Sequence, residues 1–228
     1  MGVCTGGSSA CAGHDHAEGP MAIIISQIVE QQLSFSFVEL GYYGYVAENI
    51  LVERAKAFKR NRRSPMLRGK KRPIETGYFY RNARALALCA KDKQKEVNDD
   101  VVAVLFRDSD GTASAGRGLW QDKWNSIIRG FADEGFHRGV PMLPKPKSEA
   151  WIICAVKANP YQGCAALENR SGNDNSPKSL KRQLAKILDG DPSREELCEM
   201  VNDGTIDINR FDMPSFIAFK QALVAVLQ

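Results

Sequence analysis

The sequence predicts an α/β fold: a mainly parallel, doubly wound sheet flanked by helices, with a helical extension at the C-terminus. Three observations carry this. Residues 101–106, VVAVLF, are an unbroken apolar run rich in β-branched side chains, the pattern of a strand buried on both faces. Around it, segments with helical spacing alternate with short strand-like segments, and strands separated by helices pair in parallel. Beyond residue 160 only helical patterns and polar loops follow.

Composition sets the limits. The 228 residues are 43% hydrophobic and 25% charged, enough for one generous domain or one domain with an appendage. The net charge of +4 is mild, but its distribution is not. Between Arg54 and Arg72 the sequence RAKAFKRNRRSPMLRGKKR holds ten Lys/Arg and no acid. The six cysteines include no CxxC pair, and Cys89 and Cys154 fall in segments where a buried thiol is expected. No basic region followed by an apolar stretch marks a secretory signal, and no apolar run has membrane-spanning length. Reduced thiols and a cytoplasmic location are expected.

In order along the chain, residues 1–20 are Gly/Ser/Ala-rich without hydrophobic period and read as a flexible tail. Cys4, Cys11, His14 and His16 lie there, at spacings that match no common zinc pattern. Residues 21–160 are assigned to the α/β domain and 161–228 to a helical extension packed on it. Residues 22–29 are apolar and fit a strand or a helix. Residues 33–38, LSFSFV, alternate as a strand does and lead to Glu39, and residues 43–58 keep helical spacing. The basic segment reads either as a solvated loop or as a phosphate-contacting one, through Arg60, Arg62, Arg63, Lys70 and Lys71. Tyr78, Phe79 and Tyr80 follow, as core residues or as rings that stack on bases.

Residues 81–97 read as a helix ahead of the 101–106 strand, and 119–134 as an amphipathic helix with Trp120, Trp124, Ile127, Ile128 and Phe131 on its apolar side. Gly135 suits its C-cap. A short strand at 139–143 precedes Pro144 and Pro146, and Ser148-Glu149 stands where a helix N-cap belongs, before 150–156. Helices are expected at 177–188, opened by Pro177, at 193–201 with a Ser193/Glu196 capping box, and at 214–227.

The chemistry centres on Asp108 and Asp110. They follow the central strand, and side chains two apart on extended backbone point the same way. Ligands of open α/β sheets gather beyond the carboxyl ends of strands, and two acids facing one point call for a hard cation, Mg²⁺ or Mn²⁺. The plainer alternative is a polar turn, since Asp110-Gly111 is turn chemistry.

Strand-Glu39 followed two elements later by strand-Asp108-x-Asp110 resembles the Toprim domain of topoisomerases, primases and OLD-family nucleases. The stretch MLPKPKSEAWIICA resembles the Pro-rich segment around E-A-W in a Toprim-like family, and ENRSGNDNSPKSLKRQL and MPSFIAFKQAL resemble that family's helical tail. The resemblance covers residues 33–227. It implies a Rossmann-like Toprim sheet and a Mg²⁺-dependent nuclease, with Glu39 as general acid/base or ligand, Asp108 and Asp110 as metal ligands and Glu149 as a further ligand. It also implies nucleic acid as substrate and an ATPase as partner, in a defence-type system where this chain is the effector subunit. One departure is that Leu40 separates Glu39 from Gly41, where Toprim domains put Gly directly after the Glu, so Glu48 and Glu30 are rivals for that role.

Two other readings compete. Asp108-Ser109-Asp110-Gly111-Thr112 spells the D-x-D-G-T of haloacid-dehalogenase-type phosphatases, whose first Asp is a nucleophile. That motif normally opens its domain, and its paired acids end a later strand, whereas Asp189-Gly190-Asp191 follows a predicted helix here. The third reading is a catalytically silent, Toprim-like scaffold subunit, which diverging carboxylates would favour.

Overall fold

The computed structural model describes residues 2–4, 18–61, 73–110 and 119–228. It is a mixed helix-and-sheet protein whose elements are β1 (Gly2–Cys4), α1 (Pro20–Leu33), β2 (Gly44–Tyr45), α2 (Glu48–Asn61), α3 (Pro73–Val97), β3 (Ala103–Phe106), α4 (Leu119–Asp133), β4 (Gly139–Met142), α5 (Ser148–Val156), a 3-10 helix (Cys164–Asn169), α6 (Leu180–Ile187), α7 (Arg194–Asn202) and α8 (Pro214–Leu227). These form two compact units. Among the described residues, one takes 2–4, 43–61, 73–106 and 119–141, the other 18–42, 107–110 and 142–228.

In the first unit the sheet runs in the order β2-β1-β3-β4. β1 is parallel to both neighbours, with Gly2 opposite Gly44 on one side and Ala103 on the other. Gly2–Cys4, read from the sequence as part of a flexible tail, is therefore an inner strand. Three residues are too few for a hydrophobic period to register. β3 is buried at every position, as its apolar run requires. Helices α3 and α4 pack closely because Gly130 has no side chain: a Cβ there would lie 2.5 Å from the Tyr80 carbonyl oxygen and 2.7 Å from Ala83 Cβ.

Several expectations are corrected here. α3 starts before residue 81 and carries Tyr78, Phe79 and Tyr80. Phe79 is buried, Tyr78 donates to Glu48, and Tyr80 donates to Asp133 at 2.6 Å. The helix expected over 43–58 is split, because Gly44–Tyr45 is used as strand and α2 starts at Glu48. In α4 the buried face comprises Lys123, Ile127 and Phe131, and the tryptophans expected in the core are a half-buried stack with ring centroids 5.1 Å apart.

The second unit is mostly helical. α1 resolves the ambiguity of residues 22–29: Pro20 opens it, and Ile24, Ile25, Ile28 and Val29 form one fully buried stripe facing α7 and α8. The strand expected at 33–38 does not form. Ser34 caps α1 in the left-handed region (φ 59°) with its N–H on the Glu30 carbonyl, and 37–41 turn back. Alternation over six residues thus marks a helix end and a turn, with Phe37 buried and Phe35 exposed. Pro177 does not open α6 either, because Ser179 caps that helix at Arg182 N–H. The capping box of Ser193 and Glu196 opens α7 as expected. Trp151 of the E-A-W stretch is the centre of this core. It stacks on Phe219, meets Phe216 edge-on, and donates its indole N–H to Ser215 Oγ at 2.9 Å.

Candidate active site

Beyond β3 the backbone is held by the segment that follows β4. Arg107 N–H bonds the Met142 carbonyl at 3.0 Å, and the Ser109 and Asp110 N–H groups both bond the Pro146 carbonyl at 3.0 Å. The two aspartates go to different partners, Asp108 to the Ser148 N–H and Asp110 to Lys147, so the shared ion that their spacing predicts is not prepared by the backbone. Both meet the start of α5, in the second unit.

Asp108 is the more deeply set. Its Oδ1 accepts the Ser148 backbone N–H at 2.9 Å, which satisfies a donor that the first turn of a helix leaves open. The expected Ser148 N-cap is corrected accordingly: Lys147 occupies the N-cap position, no side chain of its own segment caps α5, and Asp108 takes that task. Burial, then the neighbouring Glu149, push the Asp108 carboxyl up to about 7, and Asp110 adds to this. The Ser148 N–H and Lys147 oppose the shift without cancelling it. Near neutral pH Asp108 therefore exchanges its proton readily. Glu149 Oε2 is buried and has no hydrogen-bond partner among the described residues.

Asp110 has a different environment. Lys147, itself buried, places Nζ 3.1 Å from Asp110 Oδ2 and 2.6 Å from Asp174 Oδ2. Burial works against the Lys147 charge, but the hydrogen bonds it donates to Asp174 and Asp110 outweigh that and hold the ammonium above its ordinary value. The 168–177 loop reaches this pair through Gly172, where a Cβ would collide with Asp110 Cβ.

The sequence-predicted residues are thus brought together only in part. Asp108 is coupled to both Asp110 and Glu149. Asp108, Asp110 and Glu149 do not bring one oxygen each within 4.8 Å of the others. Among the described residues the one such trio of ligand atoms is Cys154, Cys164 and Asp212. Glu39 lies exposed in the 37–41 turn rather than at a strand end, and is not among the groups acting on Asp108. Glu30 is exposed on α1, and Glu48, in the first unit, accepts from Tyr78. Arg62, Arg63, Lys70, Lys71, Gly111, Thr112, Cys11, His14 and His16 lie outside the described residues, as do the side chains of Arg60 and Cys4.

Sequence reasoning missed Lys147 and Asp174. The signal available was a lysine two residues before Glu149 and a Gly-Asn-Asp in a loop otherwise read as plain solvent-facing chain. It also missed the Cys154–Cys164 disulfide, where reduced thiols were expected. The turn through Gly163 (φ 61°) folds the chain back, and no local motif announces it. No helix of the described residues is long and apolar enough to cross a membrane. No family model, curated protein or solved structure matches the chain.

Proposed function

We propose that this chain is a divalent-metal-dependent phosphodiester hydrolase acting on nucleic acid in the cytoplasm, with Asp108 and Glu149 as the principal metal carboxylates. The observation that carries the reading is the pairing of a half-buried Asp108, whose carboxyl is pushed up to about 7, with a buried Glu149 oxygen that has no partner among the described residues. Burial and like charge suppress ionisation, and a divalent cation removes both penalties at once. The donor set therefore fits Mg²⁺ or Mn²⁺ at Asp108 and Glu149. Asp110 is neutralised by Lys147, so it enters as a positioning residue. When bound, the metal would supply the positive charge that phosphoryl chemistry needs.

The chain's own groups do the rest. Ser148 N–H fixes which Asp108 oxygen is left for a ligand, and Lys147 ties the 168–177 loop to the Asp-x-Asp segment through Asp174. Glu39 is given no role, since it stands in an exposed turn. The Toprim-like fold, the ATPase partner and a defence-type setting belong to this same proposal and are supported by the E-A-W and Asp-x-Asp resemblance alone.

One observation favours the scaffold reading instead: three carboxylates that do not converge on one point, with one already paired to a lysine. Calorimetric titration with Mg²⁺ and Mn²⁺ separates the two, together with cleavage assays on single- and double-stranded DNA and RNA, with and without a co-encoded ATPase. Metal binding and cleavage that are both lost in Asp108→Asn support the hydrolase. An Asn variant that cuts as well as its parent overturns it, and a chain that neither binds metal nor cuts is the scaffold. Phosphorylation of Asp108 with turnover of small phosphomonoesters would identify the phosphatase.

A further inference from the structure

Away from the carboxylates, the far end of α5 holds a cluster that the proposed hydrolase does not use. Cys154 in α5, Cys164 at the start of the 3-10 helix and Asp212 ahead of α8 bring one ligand atom each within 4.8 Å of one another. The geometry points to a second, sulfur-based metal site: with Cys154 and Cys164 reduced, their thiolates and the Asp212 carboxylate hold one zinc-class divalent cation. The Cys154–Cys164 disulfide is the state that excludes it.

Contacts besides the sulfur–sulfur bond tie the segments that carry the three residues. Tyr161 returns its N–H to the Cys154 carbonyl at 2.8 Å, which closes the turn between the two cysteines. The Tyr161 hydroxyl accepts the Asp207 N–H at 2.7 Å and donates to the Thr205 carbonyl at 3.2 Å, so the same residue anchors the loop that leads to Asp212. Its ring packs edge-on against Phe211, at 5.6 Å between centroids, with Arg210 over its other side at 4.3 Å. The cysteine Cα atoms stand 5.4 Å apart. Both cysteines are fully buried, while Asp212 is exposed, so an ion reaches the thiolates from the Asp212 side.

Chemistry selects the ion. Two thiolates favour zinc over magnesium or calcium, a carboxylate completes a mixed set that zinc accepts, and three protein ligands leave a fourth position for water. Exchange with a small-molecule thiol opens the site: two R–SH deliver two electrons and two protons, Cys154 and Cys164 become thiols, and R–S–S–R leaves. Each thiol then gives up its proton as the cation binds, so uptake is favoured by rising pH. Metal and disulfide are mutually exclusive, because both compete for the same sulfur electrons.

The test uses the full chain, reduced with a phosphine under anaerobic conditions, desalted and titrated with Co²⁺, then with Zn²⁺ against a chromophoric chelator. The expected result is one Co²⁺ per chain with a thiolate-to-cobalt charge-transfer band, displaced by Zn²⁺ and absent from the oxidised chain. Asp212→Asn, on the exposed edge, should keep the band and weaken zinc binding at least about tenfold. Cys154→Ala with Cys164→Ala should remove the band. A reduced chain with no charge-transfer band overturns the proposal. So does a band that survives the double substitution, or an Asp212→Asn chain that binds zinc as tightly as its parent. Should the double variant fail to fold, the comparison of oxidised with reduced parent and the Asp212→Asn affinity still decide.

Discussion

Ser148 donates its backbone N–H to Asp108 Oδ1 at 2.9 Å, across forty residues of chain. The bond favours the ionised carboxylate, yet burial and Glu149 prevail and the group titrates at about 7. The start of α5 and the charge of Asp108 are thereby one problem.

A pH dependence of stability follows from that titration. An unfolded Asp ionises near ~3.9, while folded Asp108 does so at about 7. Between those values the folded state holds the extra proton, so rising pH destabilises the metal-free protein across that window. At ~1.4 kcal/mol per pKa unit the full handicap is on the order of 4 kcal/mol, as an upper bound. Asp108→Asn should therefore unfold at higher urea than its parent at pH 8 and no higher at pH 4. Equal midpoint-against-pH curves for the two proteins would remove Asp108 as the titrating group.

Lys147→Met should be destabilising by about 3 kcal/mol, because it strands Asp110 and Asp174 beside a buried site. Adding Asp174→Asn should recover part of that loss. Asp174 is half exposed, so its own removal should cost under about 1 kcal/mol. Urea midpoints of the four proteins give the coupling directly, and additive losses would mean that the bridge carries no energy.

Gly172→Ala should cost about 1–3 kcal/mol by overpacking and should displace Asp110, the residue a Cβ would strike. In an Asp110→Gly background the same change should be nearly neutral. An Ala effect that persists there would place the strain elsewhere in the loop.

Replacing Arg60, Arg62 and Arg63 with Ala tests the basic segment. Nucleic-acid affinity should fall about equally for all sequences, and the salt slope should flatten by up to about three units. An unchanged slope assigns the segment to solubility or to a protein partner.

The sequence disclosed what depends on short, periodic patterns. The 101–106 run, the two aspartates at its end, the α4 and α8 helices and the Ser193 capping box were legible because each is encoded locally. What escaped depends on long-range closure. LSFSFV alternates like a strand, but Ser34 adopts a left-handed cap and ends a helix there. Lys147, just after Pro146, carried no signal of its own until Asp174, twenty-seven residues on, gave it a partner. Of the candidate site, the Asp108–Glu149 neighbourhood was readable from their positions next to strand and helix ends. The lysine that separates Asp110 from it was not.

The chain's three tryptophans divide between its two units: Trp120 and Trp124 lie in one, Trp151 in the other. The stacked pair, with ring centroids 5.1 Å apart, are close enough for their excited states to mix, and a paired circular-dichroism signal is expected from the first unit alone. Trp151, fully buried among phenylalanines, should emit as a dry indole and shift to the red when the second unit opens. Each unit thus carries its own optical label in the natural sequence, and the order in which the two come apart can be recorded without attaching a dye.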